Sequence, residues 1–343
     1  MSAIAVISNP NSRKNRRAAP GRSARLRGIV GRFGRVEETA TLAELRPALC
    51  ALWDAGAEYF VSDGGDGALH WLLNELSSLH GSGELAGRAL PPALPTNGGT
   101  IDFVARKAGI RGAAEGILGA LTRTVASGGK PEVVVLDSLD LSGAVRDPDG
   151  SERPFRRIGF ALAAGGVGQR FFDKYYQDRD PGAAAILRVV VRALASWTAD
   201  KLRLPAPPAL LAYGREIFRP TPARVTIDGR ELDEREFGAI HAGAFDVSLG
   251  GVFRVFPLAR APGRIQFQAG GIVPAEMIRA LPDLYRGRMI RSRSLTDVIG
   301  SEMHIEPLDG EALCPVIDGE LFPGLSWLHV KSGPPVRIAR VVA

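Results

Sequence analysis

The stretch Ser62-Asp63-Gly64-Gly65-Asp66-Gly67-Ala68, directly after the apolar run Tyr59-Phe60-Val61, decides the fold. An apolar run that stops at a glycine cluster reads as a buried strand ending in a sharp turn. Leu69, Leu72, Leu73 and Leu76 then recur at helical spacing, so a helix begins at the turn. Glycines let the backbone approach a ligand closely, and a helix N-terminus favours phosphate. Aspartates are wrong for a bare anion but right for Mg²⁺ beside one. The segment reads as a metal-nucleotide corner.

Two further patches share its logic. The strand Ala3–Ile7 ends at Asn9-Pro10-Asn11-Ser12-Arg13-Lys14, a polar turn with two cations. Pro95-Thr96-Asn97-Gly98-Gly99-Thr100 turns into Ile101-Asp102 and opens a short helix. In an open α/β sheet all three patches lie at the carboxyl ends of their strands, where such folds bind ligands. Between them Leu42, Leu45, Leu49 and Leu52 have helical spacing, with Thr41 and Glu44 as a capping box and Gly56 as a stop. Pro47 inside that pattern leaves its start open. Glu58–Ser62 is the next strand, and Ala113–Val125 reads as a helix.

Ser127-Gly128-Gly129-Lys130-Pro131 reads as a hinge, after which the pattern changes. Glu132–Leu136 is β-rich, and Asp147-Pro148-Asp149-Gly150 between Val145 and Phe155 predicts a long hairpin. Helices follow around Gln169–Tyr176 and Ala183–Ala199. Short strands come next: Ala223–Ile227, Phe237–Ala242, Arg264–Gln268, Met303–Pro307, Leu313–Ile317, Leu328–Lys331 and Val336–Val341. The expected organisation is an α/β nucleotide-binding domain over 1–130 and a β-rich antiparallel domain over 131–331. A final strand near 332–343 is a candidate to return to the first domain. The cleft between the domains is the expected ligand site.

The 343 residues are 45% hydrophobic and 23% charged, the balance of a soluble globular protein. The net charge of +6 fits an anionic partner without choosing among nucleotide, acidic lipid and nucleic acid. Two cysteines, Cys50 and Cys314, offer no disulfide framework, which points to a reducing cytoplasm. Neither a signal peptide nor an apolar run of about 18 residues is visible. The arginines from Arg13 to Arg35 read as a solvated face, without the aromatic interleaving of a base-stacking surface. His70 reads as structural. Ala183–Trp197 reads as a core or cleft helix, with membrane contact as the alternative.

Taken in order, these motifs resemble the diacylglycerol kinase catalytic-domain family, which includes sphingosine kinases and bacterial lipid kinases. The resemblance covers nearly the whole chain. It rests on Asn-Pro-x-Ser at Asn9 to Ser12, Gly64-Gly65-Asp66-Gly67 with Asn74-Glu75 downstream, and Gly98-Gly99-Thr100. It extends to Asp318-Gly319-Glu320 after Cys314–Ile317 and to the strand around Ile338.

The resemblance implies a phosphofructokinase-like, three-layer first domain, a β-rich lipid domain, and ATP- and Mg²⁺-dependent phosphorylation of a lipid hydroxyl in lipid metabolism. Backbone N–H groups around Gly64, Gly65 and Gly67 and around Gly98, Gly99 and Thr100 would cradle the phosphates. Asn9, Asn11, Ser12, Arg13, Lys14 and Glu320 would join the nucleotide site. Asp318 would be base or metal partner, and Asp66 an orienting group or metal partner. The expected setting is the cytoplasmic side of an anionic membrane, held peripherally, with no nucleic-acid partner; a homodimer is left open.

Three departures stand out: Ala68 where threonine often follows the corner, Arg13 where glycine is common, and Asp102 where asparagine is usual. Arg106, one turn on, is the expected offset for the Asp102 charge. Asp309-Gly310-Glu311 is rejected as the acidic motif, because Leu313–Ile317 supplies the strand the second copy needs. The rivals are a non-catalytic lipid- or nucleotide-binding protein of this fold and, further off, an NAD kinase. NAD kinases carry a Thr-Pro-x-Gly-Ser-type segment that this chain lacks, since Thr221-Pro222-Ala223 is not followed by Gly-Ser.

Overall fold

The computed structural model describes residues 3–17, 21–85, 87, 89–178, 181–308 and 310–342. Asp309, in the rejected acidic motif, lies outside them. The chain divides into two compact units, Met1–Leu136 with Pro335–Ala343, and Asp137–Pro334.

The first unit is a six-stranded sheet with helices. Its strands are β1 (Ile4–Ser8), β2 (Gly34–Glu38), β3 (Tyr59–Asp63), β4 (Ala93–Pro95) and β5 (Glu132–Leu136), joined by the last strand, Val336–Arg340. The order is β2, β1, β3, β4, last strand, β5. All pairs are parallel except that of β5 with the last strand. β1, β3 and β4 are buried along their whole length, as parallel strands covered on both faces must be. From β1 the chain steps outward to β2, then back across to β3. That reversal puts a crevice at the carboxyl ends of β1 and β3.

The helices are α1 (Arg13–Arg17), α2 (Arg22–Val30), α3 (Leu42–Asp54), α4 (Asp66–Gly81), α5 (Phe103–Lys107) and α6 (Ala114–Ala126). α3 starts at Leu42 behind its Thr41–Glu44 capping box and buries Leu45, Leu49 and Leu52. α4 buries Leu69, Leu72, Leu76 and Leu79. The basic stretch is not merely a solvated face. It folds into α1 and α2 and leads into β2, burying Leu26, Val30 and Val36. The domain boundary also moves. Glu132–Leu136 pairs with Val336–Arg340 from Leu136↔Val336 to Glu132↔Arg340, so it belongs to the first sheet, not to the second domain.

The second unit is built on antiparallel sheets. One runs, neighbour to neighbour, through Arg230–Glu231, Thr221–Ile227, Glu302–Pro307, Leu325–Ser332, Leu139–Arg146 and Glu152–Gly159. The other runs through Thr296–Gly300, Ile265–Gly270, Ala239–Gly243, Ala161–Gly165, Val316–Ile317 and Glu320–Leu321. Phe160, Phe237 and Phe267 are among its fully buried side chains. The hairpin at Asp147–Gly150 closes as expected, with Gly150 N–H donating to Asp147 O. The expected strand over Leu313–Ile317 shrinks to Val316–Ile317, with Leu313 in a lone bridge to Leu325. Helices α7 (Gly166–Tyr176), α8 (Ala183–Lys201), α9 (Pro208–Ile217) and α10 (Pro274–Arg286) complete the unit. α9 and α10 open on prolines, Pro208 and Pro274, which suit a first helical turn as well as a loop.

A polar ladder crosses the second sheet of this unit. His241 pairs across strands with Gln268, and Gln268 with Asp297. Gln268 Nε2 donates to Asp297 Oδ2 at 3.1 Å. The His241 Nε2 is sealed against Gly168, without a partner. Burial pushes the imidazole from 6.5 down to about 4, against the pull of its Gln268 hydrogen bond. The folded ring is therefore neutral, while the unfolded ring protonates as pH falls through 6.5. The stability this contributes is present above that value and lost as pH falls toward about 4. His241→Gln should remove about 2 kcal/mol of the stability change between pH 6.5 and 5, read by denaturant unfolding at the two pH values. An unchanged slope would refute the neutral ring.

Candidate active site

The three patches meet at the carboxyl ends of β1, β3 and β4. Gly98 N–H donates to Gly64 O at 2.8 Å, and Lys14 N–H donates to Gly98 O at 3.3 Å. The glycine residues face one another. A Cβ on Gly98 would fall 2.7 Å from Gly64 O, and one on Gly65 would fall 2.8 Å from Gly99 Cα. Real Cβ atoms do not approach backbone this closely, so side chains here would drive the two loops apart. Gly64 and Gly98 are therefore explained first by loop-to-loop contact.

The Asn9 turn closes on itself and on its neighbours. Asn9 Oδ1 accepts from Asn11 N–H at 2.9 Å, and Asn11 Nδ2 donates to Ala40 O at 2.9 Å. Ser12 Oγ lies beside Gly64. The two cations that follow reach the third loop: Arg13 Nη1 donates to Thr100 Oγ1 at 3.3 Å, and Lys14 Nζ meets Asp102 Oδ2 at 3.0 Å. The Asp102 charge is thus offset by Lys14 and by Gly99 N–H at 2.8 Å, where Arg106 was expected. The reason is local. Asp102 stands at φ 48, which turns its side chain back over the loop rather than along the helix.

Asp66 opens α4 and caps α5. Its Oδ2 accepts from Phe103 N–H at 3.2 Å and its Oδ1 from Val104 N–H at 3.3 Å. These bonds fix the direction of its carboxylate. His70 and Asn74 are buried on the same helix, Asn74 Nδ2 donating to His70 O at 2.8 Å.

Asp318, Gly319 and Glu320 belong to the second unit. Asp318 and Gly319 form a two-residue turn between Val316–Ile317 and Glu320–Leu321, both with positive φ (52 and 90). That is the geometry Asp-Gly favours in hairpins. Asp228-Gly229 makes a similar turn at the surface (φ 48 and 76). Burial separates them: Asp318 is 4% exposed. Its Oδ1 accepts from Phe160 N–H at 2.8 Å and Ala161 N–H at 2.9 Å, and Tyr176 Oη donates to Gly319 O at 2.6 Å. A buried carboxylate held by backbone N–H groups is fixed in direction.

Sequence reasoning gave no separate role to Asp63 and read Arg22 as solvated. In the structure Asp63 is buried and Arg22 makes a paired contact with it, Nη2 to Oδ1 at 2.6 Å and Nε to Oδ2 at 3.0 Å. The signal was present: a charged residue closing a strand of otherwise buried residues must find a partner.

No family model matches the sequence, and no curated protein matches it. Solved structures do. One, a diacylglycerol kinase from Bacillus anthracis str. Sterne, has 13% identity and a TM-score of 0.58, over 99% of this chain and 98% of that one. A second, a candidate diacylglycerol kinase from the same organism, has 13% identity and a TM-score of 0.61, over 99% of each chain. The chain shares its fold with bacterial diacylglycerol kinase-like proteins. The likeness runs through both units.

Gly98→Ala tests the glycine contact. It should lower stability by about 1–3 kcal/mol through overpacking, read by thermal melting. A wild-type melting temperature would mean that the loops do not touch in solution.

Proposed function

We propose that the chain is an ATP-dependent lipid kinase, transferring the γ-phosphate to a hydroxyl of diacylglycerol, a sphingoid base or a related glycerolipid. The observation that carries this reading is the meeting of Asn9–Lys14, Gly64–Gly67 and Gly98–Thr100 at the ends of three parallel strands. The fold likeness to diacylglycerol kinase-like proteins supports it. In this reading backbone N–H groups at the start of α4 face the phosphates, those of Gly98 and Gly99 being taken by Gly64 O and Asp102 Oδ1, and Arg13 and Lys14 lower the negative charge there. Asp318 takes the proton of the lipid hydroxyl, and the second unit shapes the lipid pocket.

Mg²⁺ fits the donor set. Among the described residues no three His, Cys, Asp or Glu side chains cluster as a cage. Mg²⁺ bound with a nucleotide uses one or two carboxylates together with the phosphates. Asp66 would hold it beside the phosphates, and the ion would neutralise charge on the transferring group.

A second reading, a non-catalytic binding protein of this fold, is favoured by the capping role of Asp66 and by Ala68. Incubation with Mg²⁺, labelled ATP and a mixed lipid extract separates the two. Under the kinase reading label enters the organic phase, and Asp318→Asn and Asp66→Asn each lower the rate about a hundredfold or more with the fold intact. ATP binding without transfer supports the binding protein. Full activity in both variants overturns the site assignment.

The lipid must be met at a bilayer, and α8 offers a surface for it. No helix among the described residues is long and apolar enough to cross a membrane. α8 buries Ile186, Val189 and Ala193, so the core reading holds for one face. Its other face exposes Leu187 (57%) and Val191 (54%) beside Arg188 and Arg192, and Leu202 and Leu204 extend the apolar exposure. Apolar side chains flanked by arginine suit an anionic lipid surface. Leu187→Glu with Val191→Glu should lower binding to phosphatidylglycerol vesicles at least tenfold by co-sedimentation, since each side chain contributes about 1.5–3 kcal/mol when buried. Undiminished binding would remove α8 from the membrane contact.

A further inference from the structure

A buried carboxylate that the proposed chemistry does not use lies at the end of β3, directly before the corner. Asp63 ends β3 with 1% exposure. Its Oδ2 accepts from Ser8 Oγ at 2.8 Å, Arg22 Nε at 3.0 Å and Asn15 Nδ2 at 3.2 Å. Its Oδ1 accepts from Arg22 Nη2 at 2.6 Å and Thr96 Oγ1 at 3.0 Å. Its carbonyl accepts from Asn9 N–H at 3.1 Å and from Asn15 Nδ2 at 2.8 Å.

These donors are placed with a pattern. Ser8 precedes Asn9, Thr96 precedes Asn97, and Asp63 itself precedes Gly64. Each of the three loops therefore starts one residue from an atom bonded to this carboxylate, or from the carboxylate itself. Asn15 and Arg22 add α1 and α2, the helices that follow the first loop. We propose that Asp63, paired with Arg22, is the positioning residue of the nucleotide site, setting the spacing of the three loops without touching the nucleotide. The ligand in this inference rests on the kinase reading.

A site that grips a triphosphate with backbone groups needs its loops held to a fraction of an ångström, because a 1 Å misplacement can cost about a hundredfold. Hydrophobic packing alone does not fix direction. A bidentate arginine–carboxylate contact does, and it also keeps the Arg22 charge away from the phosphates. Lysine at position 22 would keep the charge but lose the fork.

The test is a double variant that leaves net charge unchanged, Asp63→Asn with Arg22→Gln. The KM for ATP should rise about tenfold to a hundredfold, while the KM for lipid stays within about twofold, the level expected without a coupled effect. Amide hydrogen exchange should quicken in residues 9–17 and 96–102 and stay unchanged in 139–159 of the second unit. A residue that merely stabilised the fold would lower the melting temperature and leave both KM values alone. If the double variant does not fold, Ser8→Ala and Thr96→Val, each removing one donor, should give the same split by a smaller factor. Wild-type exchange in 9–17 and 96–102 in a folded variant overturns the proposal. Should the wild type transfer no phosphate, the kinase reading fails, and the exchange arm alone still decides the role of Asp63.

Discussion

A charge inside a protein must be surrounded by donors or it unfolds what holds it. In the first unit that charge is on Asp63, and meeting its demand organises the rest of the site. Ser8 and Thr96 bring the ends of β1 and β4 to the end of β3, and Arg22 and Asn15 bring in the helices that follow the first loop. With the strand ends fixed, Gly64 and Gly65 close on Gly98 and Gly99 at distances that only glycine permits. Removing one partner of a buried ion pair typically costs about 3–5 kcal/mol. The pair is therefore a constraint on geometry that the surrounding fold must respect, whatever its net contribution to stability.

The second unit solves the same problem differently. Its carboxylate, Asp318, is gripped by backbone N–H groups of Phe160 and Ala161 at the junction of two strands. Its polar ladder of His241, Gln268 and Asp297 runs across three strands, with the His241 Nε2 left without a partner. Asp297 is pushed up from the usual carboxylate range by burial, with its two glutamine donors pulling the other way.

Much of this was legible in the chain. Tyr59–Asp63 followed by the glycine corner gave the strand, turn and helix, and the leucine spacing of α3 and α4 gave their buried faces. The paired glycines marked loops that must approach something, although the nearest thing they approach is each other. What was not legible depended on distance along the chain. Nothing local says that Arg22 turns inward while its neighbours stay out, because its partner is 41 residues away. Glu132–Leu136 reads as β from its valines, but only its pairing with Val336–Arg340 assigns it to the first sheet. α10 hid behind Pro274 and Pro282, although Met277, Leu281 and Leu284 recur at helical spacing. Lys14 rather than Arg106 meets Asp102 because a left-handed backbone at one residue reversed the side chain.

Under the kinase reading, one rigid arrangement of three loops grips a triphosphate. A crystal structure of the full chain with Mg²⁺ and a non-hydrolysable ATP analogue tests it most directly. Under that reading, density for the β- and γ-phosphates lies within hydrogen-bonding distance of backbone N–H groups in 64–67 and beside the 98–100 loop, with Asp63 and Arg22 still joined beneath them. Phosphate density away from those loops, or a nucleotide bound with the Asp63–Arg22 contact broken, would contradict it.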